Sequence, residues 1–241
     1  MELRKLFSKS FVGLLAAGAA GFSSVAAYEI FCPKASLFGR VVTHGSRDVK
    51  AVSLLFERAP SESTEALVSC LHKFEVPAVF FIEGCRVKRF PKAFKSLRTF
   101  EMGVQAERYR PLIMRKKISL VRLIAPTMYS IEDIQHRRPA FFLPPFGWKE
   151  PLLVRTASRL GLITVSPYIR IRKMQQDQAA LYAEDISARV SPGDIILLSA
   201  DAASMGITTE ALLDLVYNIV KGVRAKGLAF WGLSPLLMGG A

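Results

Sequence analysis

The run from Ala51 to Gly84, AVSLLFERAPSESTEALVSCLHKFEVPAVFFIEG, sets a short apolar stretch, a polar turn, an amphipathic segment and a second apolar stretch in series. That order reads as strand, helix and parallel strand, because parallel neighbours must be joined by a crossover of about this length. The first strand is expected at Ala51–Phe56. The helix is expected at Ser61–Lys73, with Ser61 as N-cap and Ala66, Leu67, Cys70 and Leu71 on its buried stripe. The second strand is expected at Ala78–Ile82, between Pro77 and Gly84. The turn Phe56-Glu57-Arg58-Ala59-Pro60 then falls at the C-terminal end of a parallel strand, where α/β barrels carry their chemistry.

The same alternation continues down the chain. Further strands are expected at Glu101–Val104, Ala140–Leu143, Leu162–Val165, Ile195–Leu198 and Leu228–Trp231. Helices are expected at about Pro91–Arg98, Ser130–Arg137, Lys149–Leu160, Gln178–Arg189 and Thr208–Lys226. Residues 105–127 mix a basic cluster with Leu-Val-Arg-Leu-Ile and show no clear period. Repeated βαβ units imply an α/β fold with a parallel sheet, closed or nearly closed, and 241 residues suit one large domain. A composition 51% hydrophobic and 22% charged excludes a disordered chain.

The first residues stand apart. Arg4, Lys5 and Lys9 precede an apolar run, Phe11–Phe22, and small residues follow at Ser23, Ser24, Ala26 and Ala27. This is the layout of a secretory signal cleaved before Tyr28; an uncleaved anchor and a buried helix are the alternatives. The expected organisation is therefore a signal at 1–27, an arm at 28–50, the barrel at 51–234 and a tail at 235–241. Without residues 1–27 the formal net charge falls from +13 to +11. That excess favours anionic partners such as acidic glycans, cell-wall polymers or phospholipid surfaces, while solubility alone is the simpler explanation. No nucleic-acid partner is expected. Cys32, Cys70 and Cys85 show no CxxC or zinc-ligand spacing, so buried free thiols or a Cys70–Cys85 bridge are both open. His44, His72 and His136 are isolated from one another, and the latter two are expected on helix surfaces.

Six segments, in order, carry a resemblance to a known family. They are Leu55–Pro60, Pro77–Gly84, Phe100–Tyr109, Phe142–Gly147, Pro192–Ser199 and Gly227–Ser234. They resemble the Thr-Phe-Asp-Asp-Gly-Pro, Pro-Ala-Thr-Phe-Phe-x-x-Gly, Gly-His-Glu-x-Gly-Asn-His-x-x-x-His, Phe-Arg-Pro-Pro-Tyr-Gly and Pro-Gly-Asp-Ile-Ile-Leu-Leu-His motifs, and the closing strand, of the polysaccharide deacetylase (NodB-homology) family of carbohydrate esterases. The resemblance implies a deformed (β/α) barrel. It also implies a hydrolase in which one Asp is the base, a second Asp and two His hold a divalent metal, and a further His is the acid.

Carried over position by position, the base becomes Glu57 and the metal positions become Arg58, Gln105 and Tyr109. The acid position is Ser199. The cleft loop is Leu143-Pro144-Pro145-Phe146-Gly147, where the family's Arg is Leu143 and its Tyr is Phe146. Ser166-Pro167-Tyr168 stands where the family often has an Asp-containing motif. A fixed cation, a neutral amide and a phenol cannot stand in for anionic and imidazole ligands, so the family's divalent metal is expected to be lost and no cofactor is expected. Arg58 either fills the vacant cation position and pairs with Glu57 in a network with Gln105 and Tyr109, or both turn residues are solvated. Basic runs at Arg86–Lys92, Arg108–Lys117 and Arg170–Lys173 each follow a strand and are expected on the same face as Glu57, as a cationic rim or as ordinary solvated surface.

Three readings follow for function. The first is an exported, catalytically impaired member of the family that binds a cell-envelope glycan such as peptidoglycan, or a partner protein. The second is a divergent active carbohydrate N-deacetylase using substitute ligands from Glu83, Glu101, Glu107 and His136. The third is a basic scaffold on a membrane surface.

Overall fold

A computed structural model describes residues 41–239 apart from Ile113 and Arg172. The expected signal, most of the expected arm and Cys32 lie outside the described residues. The strands are β1 (Val41–Val42), β2 (Ala51–Ala59), β3 (Ala78–Glu83), β4 (Glu101–Ala106), β5 (Phe141–Phe142), β6 (Ile163–Val165), β7 (Ile169–Arg170), β8 (Ile195–Ser199) and β9 (Ala229–Phe230). Every pairing among them is parallel. The sheet order is β1-β6-β5-β4-β3-β2-β8-β7, with β9 also on β2.

Side-chain alternation along the strands builds two cores. Leu55, Val79, Phe81, Phe141, Leu143, Ile195 and Leu197 point to the inner side of the curled sheet. Val52, Leu54, Phe56, Phe80, Ile82, Ile196 and Leu198 point outward, under the helices. Those helices are α1 (Thr64–Lys73), α2 (Gly84–Arg89), α3 (Pro91–Ser96), α4 (Lys117–Gln135), α5 (Pro151–Arg159), α6 (Ala179–Arg189), α7 (Ala202–Met205), α8 (Thr209–Ala225) and α9 (Leu233–Met238). The expected α/β deformed barrel is the fold observed. Its two edge strands, β1 and β7, are not paired with each other among the described residues. A hydrogen bond from the Tyr168 hydroxyl to Thr43 Oγ1, 3.1 Å long, spans that side.

Several elements differ from expectation. Residues 41–42 of the expected arm form β1, which pairs with β6, and most of the expected tail belongs to α9. Leu233 and Leu236 of that helix seal the inner core, and Glu101 receives the Leu233 and Ser234 backbone N–H groups at 2.8 and 3.3 Å. The helix after β2 begins at Thr64 with Ser63 as N-cap rather than at Ser61. Ser61 is engaged elsewhere: its N–H donates to Thr64 Oγ1 and its hydroxyl to the Ala200 carbonyl, tying the turn to the end of β8. The region without a period ends in α4, 19 residues long and reaching back to Lys117. Its buried face, Leu120, Ile124, Thr127, Met128 and Ile131, was masked in sequence by flanking cations and by Pro126, a residue unfavourable inside helices.

Gly193 explains why one shared motif needs its glycine. It adopts φ +79, and an added Cβ would lie 2.4 Å from the Ser46 backbone oxygen. Its N–H donates to Ala51 O and its carbonyl accepts from Gly45 N, both at 2.7 Å, which fixes the entry into β2 and β8. Gly193→Ala is expected to lower stability by about 3 kcal/mol, from left-handed strain plus the clash, with the loss read as a fall in denaturation midpoint.

Candidate functional site

The period of two that builds the inner core also delivers the site. One step past Leu55, Phe81 and Leu197, at the C-terminal ends of β2, β3 and β8, the inward positions are Glu57, Glu83 and Ser199, all buried. On β4 the matching position is Gln105, which is fully buried. The register of β2 on β3 shifts between Phe56 and Ala59, and that of β3 on β4 shifts between Ile82 and Glu83. Within the first irregularity Arg58 has φ +62, a left-handed conformation uncommon outside glycine. Its backbone N–H donates to Gln105 Oε1 at 2.9 Å, so the amide of one irregular strand satisfies the backbone of the other.

Glu57 is the centre of the arrangement. Its carboxylate accepts from Gln105 Nε2 at 3.1 Å and from the Tyr109 hydroxyl at 3.3 Å. The expected Glu57–Arg58 pair is not what forms. Arg170 of β7 faces Glu57 at 3.7 Å, with 14% of its side chain exposed. The topology makes this possible: β7 lies beside β8, Arg170 pairs in register with the inward Leu197, and its long side chain crosses to β2. Gly147 provides the room, since a Cβ there would come within 1.9 Å of Arg170 Nη1.

Arg58 turns instead towards Asp201, Nη2 to Oδ2 3.4 Å, and its guanidinium lies over the Tyr109 ring at 4.7 Å. Asp201 is held more closely by Arg86, at 2.6 Å, and Arg86 also bonds Glu83 at 2.8 Å. Glu83 in turn accepts the Tyr109 N–H at 2.8 Å. Three guanidinium groups therefore interlock with three carboxylates. Sequence reasoning placed Arg86 and Arg170 in basic runs expected as a cationic rim or as ordinary solvated surface, and passed over Asp201. The available signal was a carboxylate two residues beyond β8 on the face that carries Arg58.

The remaining expected positions are accounted for. Ser199 forms a local knot with Ser204 Oγ at 2.9 Å and the Asp201 backbone, at the acid position. Leu143, Pro144 and Pro145 are buried, and the Leu143 N–H donates to Val104 O. Phe146, at φ +59, packs on Tyr109 at 4.5 Å and on Trp148 at 5.4 Å, giving a continuous aromatic wall. Of the substitute ligands, only Glu83 joins the network; Glu101 anchors α9 at the other end of β4, and His136 is exposed at the end of α4. Lys88, Arg89, Arg108, Arg110, Arg115, Lys116, Lys117 and Lys173 remain exposed on segments following β3, β4 and β7. Cys70 and Cys85 are free and half-buried. Burial pushes both thiols up, helped at Cys85 by the charge and hydrogen bond of Glu83.

The sequence profile of the family described as Polysaccharide deacetylase matches residues 44–165. The chain belongs to the polysaccharide deacetylase family. Among curated relatives, the peptidoglycan-N-acetylmuramic acid deacetylase PdaC of Bacillus subtilis is 28% identical over 180 residues, 71% of this chain. The chain spans only 38% of that relative. Among solved structures, the Bc1960 peptidoglycan N-acetylglucosamine deacetylase superposes with TM-score 0.75 at 19% identity, covering 82% of this chain and 92% of the other. BA3943 of Bacillus anthracis, described as a CE4 family pseudoenzyme, gives TM-score 0.70 at 20% identity, covering 82% and 68%. A BA3943 mutant is described as having restored enzymatic activity.

The residues of this chain do not fit the metal that the family implies. At the positions that the motif resemblance matches to the three ligands stand Arg58, Gln105 and Tyr109, a permanent cation, a neutral amide and a phenol. A guanidinium has only donors and repels a divalent ion. Among the described residues no three His, Cys, Asp or Glu side chains gather as a ligand set.

Proposed function

We propose that the protein is an exported, catalytically silent polysaccharide deacetylase module that binds cell-envelope glycan in the cleft its relatives use for hydrolysis. The wiring of Glu57 carries the reading. A general base must be free to turn a lone pair towards water, and this carboxylate is fixed by bonds from Gln105 and Tyr109, one on each oxygen, and faces the Arg170 guanidinium. The electrophile is lacking as well, because Arg58 is a cation without an open coordination position. Ser199, bonded into its own loop, cannot donate a proton near neutral pH as an imidazolium would.

What remains is suited to recognition. The partly exposed aromatic wall Tyr109–Phe146–Trp148 is a surface on which the apolar faces of sugars can pack, and exposed cations follow β3, β4 and β7 at the same edge of the sheet. The names of the relatives, one a peptidoglycan deacetylase and one a pseudoenzyme, support a glycan of the envelope and a silent member. The purified chain is expected to co-sediment with peptidoglycan and to release no acetate from N-acetylated oligosaccharides, with or without added zinc or cobalt. Acetate release, or tightly bound stoichiometric zinc, would overturn this reading in favour of a divergent hydrolase.

A further inference from the structure

We infer that Arg58 is a receptor for a carboxylate on the bound glycan, so that the cleft selects acidic sugars over neutral ones. This rests on the glycan-binding reading above and narrows it to a chemical class.

The observation is the state of the Arg58 guanidinium. Arg86 bonds two carboxylates at 2.8 and 2.6 Å, whereas among the described residues Arg58 has one ionic contact, at 3.4 Å, to the same Asp201 that Arg86 already holds. Its Nε is buried with no hydrogen-bond partner, although its side chain keeps 27% exposure. A guanidinium carries five N–H donors in its plane, and leaving the Nε donor unmade in a partly buried place costs free energy. Lying over the Tyr109 ring engages its face and leaves the in-plane donors for a ligand. The left-handed backbone and the Gln105 bond to its N–H hold the residue in place beforehand.

A carboxylate is the group that matches such a fork in two parallel hydrogen bonds. Tyr109 connects the fork to the rings of Phe146 and Trp148, so a sugar stacked on that wall can bring an attached carboxylate within reach. The interlocked carboxylates do not forbid a further anion. Glu57 faces Arg170, and Glu83 and Asp201 share Arg86, while exposed Lys88, Arg108 and Lys173 bias the surrounding field positive.

Titration calorimetry of the whole chain with a tetrasaccharide of alternating N-acetylglucosamine and N-acetylmuramic acid, as the free acid and as its methyl ester, tests this. The acid is expected to bind on the order of tenfold to a hundredfold more tightly than the ester, the range of charged hydrogen bonds. In Arg58→Gln the ratio of the two affinities is expected to fall towards one, and Arg58→Lys should keep part of it. Equal affinities for acid and ester on the native chain would overturn the inference while leaving glycan binding intact. Binding of neither would overturn the glycan reading and the inference with it. A ratio unchanged in Arg58→Gln, in protein whose melting shows it folded, would move the receptor elsewhere. If that variant does not fold, the native acid-to-ester ratio and its retention in Arg58→Lys decide.

Discussion

Glu57→Gln is expected to destabilise the folded chain by about 3 kcal/mol, because it removes the charge opposite a guanidinium that folding has largely withdrawn from water. Glu57 and Arg170 keep only 5% and 14% of their side chains exposed, so solvent screens the pair weakly. The amide keeps one acceptor oxygen but places its NH2 group where the other of the two donors, Gln105 or Tyr109, points, and a donor facing a donor loses its hydrogen bond. For a domain of this size the melting temperature should fall by roughly 6–12 °C. The denaturant midpoint should drop with the slope unchanged. The sign is diagnostic. A working general base is held ready at some cost to the fold, so its replacement is often neutral or stabilising. A variant as stable as the native chain would show that Glu57 is no part of a structural network, and would restore it as a candidate base.

Rebuilding the ligand set is expected to produce the second large effect. Arg58→Asp, Gln105→His and Tyr109→His together place one carboxylate and two imidazoles on positions that the structure already brings together around Glu57. The triple variant should bind about one zinc ion per chain with an open position for water. At free zinc a hundredfold above its dissociation constant, the folded state should gain about 2.7 kcal/mol. The native chain should show no such zinc-dependent rise in melting temperature. Arg58→Asp alone should fall well short, since an amide and a protonated phenol are poor partners for the carboxylate. A native chain that zinc stabilises as strongly would refute the account of the site given above. If the triple variant folds yet binds no zinc, the three positions do not form a ligand cluster.

Much of this was legible in the sequence because it was local. The strands are short apolar runs, and alternation from Leu55 to Glu57 or Leu197 to Ser199 already sets which side chains face inward. The gathering of Glu57, Gln105 and Tyr109 was readable from motif positions. The partners of the charges were not. Arg170 reaches Glu57 only because β7 lies outside β8 in the sheet, and Arg58 meets Asp201 across 143 residues; neither neighbourhood has a local signature. Helix α4 was hidden for a different reason. Its buried residues are regularly spaced, but Pro126 and the cations from Arg115 to Lys117 dilute the apolar signal from which periodicity is read.

Strand β2 also dictates an order of events during folding. Its first partner, β3, follows within some twenty residues, but β8 and β9 come from the far end of the chain. Leu233 and Leu236, which seal the inner core, come later still. Contacts of such long sequence separation are slow to form, because closing the loop must precede the reward. The strand that carries Glu57 therefore cannot be fully enclosed until residues 229–236 have been made. A chain lacking them would leave Ala51 and Val52, at the start of β2, without their β9 partner and an apolar interior open to water.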